Sequence, residues 1–326
     1  MTLRPRAVNK GRKERMISTA FTTNSARHAG TRSFVESLRG ALAGEPCRLR
    51  SGQEREVQAF LAARPLHTVY MAGLVADHGL ESEACRGTFY GCRGAGGRLE
   101  GVAIVGHHTL FEASTPEALR RLALLARAHS RETHLILGER RLAAEFWRHY
   151  SGGTLATRRV LSALLYELRE APSDDAAVKD KDSAALRAPQ PATPDLLDPV
   201  ARAHAEMAQA ESGINPLERD PEGFRRRCLR RIEAGRTHVL VRDGRLLFKA
   251  EVIAETPGAT YLEGVYVAPE VRGLGVGAGC LARLSADLLR RTQAVCLLVN
   301  EENGAARALY RRAGFSVGGH YASIFL

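Results

Sequence analysis

The chain has 326 residues, 44% of them hydrophobic and 25% charged, with a formal net charge of +11. That length allows about two domains with a core in each, and no apolar run approaches the roughly 20 residues that a membrane span needs. The six cysteines (Cys47, Cys85, Cys92, Cys228, Cys280, Cys296) include no Cys-x-x-Cys pair, which argues against a disulfide framework or a structural zinc site and fits a reducing cytoplasm.

The basicity is local. Residues 1–50 hold eleven Lys/Arg and three Asp/Glu, so the other 276 residues carry only +3. Residues 1–48 are rich in Arg, Ser, Thr and Gly without periodicity and read as a disordered, solvated tail, in which Met16 could be a later start. No apolar segment of a secretory signal follows it. A nucleic-acid role would reside in this tail and would show as salt-dependent binding; a cytoplasmic protein without membrane contact is expected.

Residues 49–170 read as an α/β domain. Val57, Phe60 and Leu61 recur at helical spacing up to Pro65, and His67–Val75 continues with a helical face. Gly94–Gly97 mark a turn before a strand at Leu99–Gly106. Thr115 and Pro116 supply an N-cap and first-turn proline for a helix through Ala128. A strand at Leu135–Gly138, a helix at Leu142–Tyr150 and a strand at Val160–Leu168 complete the unit. The neighbouring His107 and His108 read as one buried and one solvated side chain at a strand end, because ligands at known spacing are missing nearby.

Residues 171–194 contain Pro172, Pro189, Pro191 and Pro194 and read as a linker. The second domain, 195–326, opens with helices at Pro199–Ala210 and Phe224–Ala234, broken between them by Gly213-Ile-Asn-Pro216. Asp243-Gly244 joins strands Thr237–Arg242 and Arg245–Ile253 as a hairpin. A strand at Tyr261–Val267 ends at Pro269, and Arg272, Gly273, Gly275 and Gly277 then precede a helix through Leu289. Glycines ahead of a helix free the backbone N–H groups of residues 272–278 to point at one anion such as a pyrophosphate, aided by the helix dipole. Gly273-x-Gly275-x-x-Ala278 also fits a dinucleotide fingerprint, but the five-residue gap after the strand, the leading Arg and the preceding hairpin count against it. No Walker A pattern is present.

The pattern Arg272-x-x-Gly275-x-Gly277 after a Val-x-Val strand resembles motif A of the GNAT N-acetyltransferase superfamily. The ending also resembles that family: a buried strand Val295–Val299 leads to Asn303-x-x-Ala306-x-x-Leu309-Tyr310 and Gly314-Phe315. The two motifs span residues 261–315, and a looser likeness covers 195–326. The whole looks like bacterial proteins that place a domain of unknown function ahead of a GNAT domain, and residues 49–170 would suit a degenerate GNAT copy without a cofactor loop. The expected fold class is therefore α/β with a mixed sheet, a C-terminal GNAT fold and a second α/β domain before it.

The resemblance implies acetyl transfer from acetyl-coenzyme A to an amine, without a metal. The loop residues Arg272, Gly273, Leu274, Gly275, Val276, Gly277 and Ala278 would hold the pyrophosphate. Val265, Tyr266 and Val267 would pair with the pantetheine arm, Asn303 and Ala306 would meet the coenzyme, and Tyr310 would protonate the leaving sulfur. Glu263 and Glu251 are both candidates for the base, with Lys249 on the Glu251 face of its strand. A non-catalytic acyl-coenzyme A sensor is the alternative function. The acceptor, a small molecule or a protein amine, and the oligomeric state are open.

Overall fold

The computed structural model describes residues 44–129, 133–172 and 188–326. Residues 1–43 of the expected tail and 173–187 of the expected linker lie outside the described residues.

Two halves repeat one order of elements. The first runs β1 (Cys47–Arg48), α1 (Glu54–Leu61), α2 (Pro65–His78), β2 (Gly87–Arg93), β3 (Leu99–Gly106), β4 (His108–Ala113), α3 (Pro116–Ala128), β5 (Leu135–Glu139), α4 (Arg140–Ser151) and β6 (Arg159–Leu168). The second runs β7 (Gln190–Pro191), α5 (Leu197–Ser212), α6 (Pro216–Arg219), α7 (Pro221–Glu233), β8 (Thr237–Arg242), β9 (Arg245–Glu255), β10 (Thr260–Val267), α8 (Val276–Leu288), β11 (Val295–Asn300), α9 (Gly304–Arg312) and β12 (Ser316–Phe325).

Local chemistry sets several boundaries. Pro65 ends α1 and, having no N–H to lose, opens α2 at its first position. Thr115 caps α3 by accepting from the Ala118 N–H at 3.2 Å, and Asp220 caps α7 through Gly223 at 3.0 Å. Asp243 and Gly244 both adopt positive φ, the twist that a two-residue hairpin needs. His107 and His108 are both exposed, contrary to the expected split, because His107 sits in the bend before β4.

All strands join one mixed sheet in the order β1-β2-β3-β4-β5-β12-β6-β11-β10-β9-β8-β7. The order is a palindrome of the two halves with their last strands exchanged. β6 pairs with β11 of the second half, β12 pairs with β5 of the first, and β6 and β12 pair antiparallel at the centre. The cores are exchanged accordingly: Leu164, Tyr166 and Leu168 of β6 pack under α8 and α9, while Ala322 and Ile324 of β12 pack under α3 and α4. Each half buries apolar surface on the other's strand, so neither core closes alone. No helix among the described residues is long and apolar enough to cross a membrane.

Candidate active site

The parallel ladder between β10 and β11 is short. Its partners are Thr260 with Val295, Tyr261 with Cys296 and Leu262 with Leu297. β10 continues to Val267 and β11 to Asn300 without further pairing, so the strands part and leave the β10 edge open. A bulge lies at the parting point, because Glu263 pairs with Glu251 of β9 and the next pair is Tyr266 with Lys249. Gly264 takes φ of 61° there, and Lys249 Nζ donates to its carbonyl at 3.1 Å. The Gly264–Val265 peptide is trans and planar, so the Val265 N–H points away from Lys249.

Beyond β10, Arg272 Nε donates to the Val267 carbonyl at 2.9 Å and ties the loop to the strand. Gly273 and Gly275 adopt φ of 80° and 78°, a left-handed conformation that side chains resist, and Gly275 is the N-cap of α8. The first backbone bond into α8 is from the Gly279 N–H to Gly275, leaving the N–H groups of residues 273–278 without a backbone acceptor among the described residues. Orphan N–H groups at the positive end of a helix form an anion cradle. Gly277 permits close approach: a Cβ there would lie 2.5 Å from Val267 Cγ2 and 2.8 Å from Leu309 Cδ1.

These elements enclose a pocket of about 380 Å³. Among the candidates, Val265, Tyr266, Val267, Arg272, Gly273, Gly275, Gly277, Ala278, Asn303 and Ala306 line it. Leu274 and Val276 do not; their backbone N–H groups lie in the loop stretch without a backbone acceptor among the described residues. Asn303 caps α9, its Oδ1 accepting from the Ala306 N–H at 3.0 Å. Sequence reading missed Met207 on α5, and Ala305, Ala308 and Arg312 on α9. The α9 residues recur at three- and four-residue spacing and were discoverable as one helical face; nothing in the local sequence distinguishes Met207.

Tyr310 stands behind the pocket wall rather than in it. Its ring lies edge-on to Tyr166 of β6 at 5.6 Å between centroids, and burial pushes its phenol well above the ordinary value. Among the described residues its hydroxyl has no hydrogen-bond partner, although buried tyrosines usually find one. Tyr266 donates to Glu206 Oε2 at 3.1 Å, and burial with that contact pushes it up to about 12.

The two carboxylates sit in opposite environments. Glu251 is buried, with Lys249 Nζ at 2.9 Å, Arg231 Nη1 at 2.6 Å and His204 Nδ1 at 3.3 Å. Burial alone would raise its pKa, but His204, Lys249 and Arg231 together hold it well below the ordinary range. Glu263 is solvent-accessible inside a second cavity yet crowded by protein, and it accepts from the Tyr261 hydroxyl at 2.8 Å. There desolvation prevails over the lowering by Tyr261 and Arg231, and its pKa is raised.

A strand with an open, bulged edge followed by a glycine-rich loop at a helix N-terminus can hold an anion beside an extended ligand. Residues 204–315 match the model of the acetyltransferase (GNAT) family. Solved structures repeat the architecture over most of the chain. A tandem GNAT protein from the clavulanic acid biosynthesis pathway aligns over 86% of this chain and 98% of its own, with TM-score 0.54 and 14% identity. A GNAT-family acetyltransferase from Colwellia psychrerythraea aligns over 86% and 99%, with TM-score 0.51 and 14% identity. A GCN5-related N-acetyltransferase from Sphaerobacter thermophilus aligns over 86% and 94%, with TM-score 0.50 and 16% identity. At these identities the likeness concerns the fold. A sequence search of curated proteins gives no match. Family and fold together support acyl transfer in general.

Proposed function

We propose that this protein is an N-acetyltransferase that moves an acetyl group from acetyl-coenzyme A to a primary amine by direct attack in a ternary complex. The observation that carries the reading is the row of unpartnered N–H groups at residues 273–278, set beside the open β10 edge. The residues fit the co-substrate: the cradle takes the pyrophosphate, Arg272 and Arg312 flank it, and Val265–Val267 offer strand-like bonds to the pantetheine amides. Acetyl-coenzyme A supplies an activated thioester.

The Val265 N–H, fixed by the Lys249 bond to the Gly264 carbonyl, stabilises negative charge developing on the acyl oxygen. Glu263 is assigned the base, relaying a proton from the amine through water, because its raised pKa suits proton capture. Glu251 is instead a fixed anion that orders Lys249 and Arg231. Tyr310, whose hydroxyl has no hydrogen-bond partner among the described residues, is assigned to protonate the leaving sulfur.

Tyr310→Phe tests the reading: kcat should fall by about 10² or more, with coenzyme affinity within twofold of wild type. Equal turnover in both proteins removes Tyr310 from the acid role. The placement of Tyr310 behind the pocket wall also favours a second reading, a non-catalytic acyl-coenzyme A sensor. Coenzyme binding without thiol release in the presence of any amine would select the sensor.

A further inference from the structure

A second cavity, also about 380 Å³, lies between the halves, under α2 and over the central strands. Glu263 and Tyr261 of β10 enter it from the second half, and Arg86, His108 and Glu112 from the first. Glu263 lines this cavity and Val265, two residues further along β10 and across the bulge, lines the first. The two pockets therefore meet at the β10 bulge.

The charges in this cavity are unevenly satisfied. Arg64 donates to Glu112 at 3.0 Å and also pairs with Glu139, so both carboxylates share one guanidinium. Arg231 is committed to Glu251. His67 Nδ1 bonds the Tyr321 hydroxyl at 2.8 Å. Two charged groups of the lining stand outside any ion pair among the described residues: Glu263, which accepts from the Tyr261 hydroxyl, and Arg86. Arg86 also holds a left-handed φ of 52°, a conformation costly for a long side chain and frequent at ligand sites. Both groups line the cavity together with Tyr70, whose ring stands edge-on to Tyr261 at 6.4 Å. The lining also includes the apolar Phe111, Leu137, Leu165 and Leu298.

We infer that this cavity is the acceptor site and that the acceptor is a free amino acid, or a similar small zwitterion, with an apolar side chain. Its amine faces Glu263, its carboxylate meets Arg86, and its side chain fills the apolar wall contributed by the first half. This rests on the acetyltransferase reading for its chemistry, not for its binding. The guanidinium of Arg86 disfavours a polyamine, and enclosure between the halves disfavours a lysine on a folded protein. When transfer occurs, the ammonium first gives one proton through Glu263 to water; the neutral amine nitrogen then bonds the acyl carbon, the carbon–sulfur bond breaks, a second amine proton leaves toward Glu263 and the thiolate receives a proton.

The full chain is titrated calorimetrically with phenylalanine, leucine, phenylalaninamide, spermidine and, separately, acetyl-coenzyme A. Phenylalanine or leucine should bind, and Arg86→Met should weaken that binding at least tenfold, with Arg86→Lys recovering part of it. The penalty should shrink for phenylalaninamide, which lacks the carboxylate, and acetyl-coenzyme A affinity should not move. Binding of spermidine alone, binding of neither amino acid, or an Arg86→Met protein that binds phenylalanine as wild type does would overturn the inference. Failure of acetyl-coenzyme A to bind would count against the coenzyme assignment, while the cavity is still judged by the amino acids.

Discussion

Lys249→Met removes one buried ammonium while keeping a stem of similar length. The Lys249 side chain is fully buried and its Nζ has two partners, Glu251 Oε1 at 2.9 Å and the Gly264 carbonyl at 3.1 Å. Breaking a buried pair from one side costs roughly 3–5 kcal/mol. Glu251 keeps Arg231 and His204, so the lower end applies, about 3 kcal/mol. The catalytic effect is separate. With its carbonyl released, the Gly264–Val265 peptide rotates and the oxyanion donor is no longer held in place, an expected loss of about 10² in kcat. Coenzyme affinity should fall less than kcat does, because the cradle beyond β10 is untouched and only the first residue of the pantetheine-pairing segment is disturbed. Urea unfolding gives the first quantity, thiol release from acetyl-coenzyme A with phenylalanine the second, and calorimetry the third. A stability loss with unchanged kcat would show that the bulge holds its peptide without Lys249 and would refute the assigned role.

Gly277→Ala places a Cβ 2.5 Å from Val267 and 2.8 Å from Leu309, so α8 must retreat from β10; a stability loss of about 1–3 kcal/mol and at least tenfold weaker coenzyme binding are expected, and unchanged affinity by calorimetry would contradict the cradle. Because a base works deprotonated, kcat/KM should decline as pH falls through the raised pKa of Glu263, putting the acid limb above the ordinary 4.5; Glu263→Gln should abolish that limb and lower the plateau by about 10² or more. A pH profile identical in the variant would exclude Glu263. Residues 195–326 produced alone lack β6, which exposes the β11 edge and opens the α8–α9 core; circular dichroism and size-exclusion should report an unfolded or aggregated chain. A folded, monomeric fragment would show that the exchange of strands is dispensable.

Much of the site was legible because its signals are local. A left-handed backbone at Gly273 and Gly275, a proline ending a strand and a helix beginning at once afterwards are written within a few residues. The Asp243–Gly244 hairpin and the Thr115 cap are of the same kind. Strands β2 and β4 went unread: Gly87 and Gly91 dilute the β pattern of the first, and β4 begins inside a histidine pair, at His108. The exchange of β6 and β12 had no local signature. Val160–Leu168 reads as a strand in either half, and its choice of β11 is made by packing across more than a hundred residues of chain. The two glutamates were indistinguishable in sequence for a similar reason. Lys249 declared itself by alternation, but His204 and Arg231, which immobilise Glu251, come from separate helices. The cavity between the halves likewise depends on residues from both ends of the chain.

Calorimetric titration of the full chain with acetyl-coenzyme A, beside NAD, tests the central claim most directly. Saturable binding of acetyl-coenzyme A alone, lost in Gly277→Ala, is the predicted result. Binding of NAD, or of neither ligand, would contradict the assignment of residues 265–278 as a coenzyme A site.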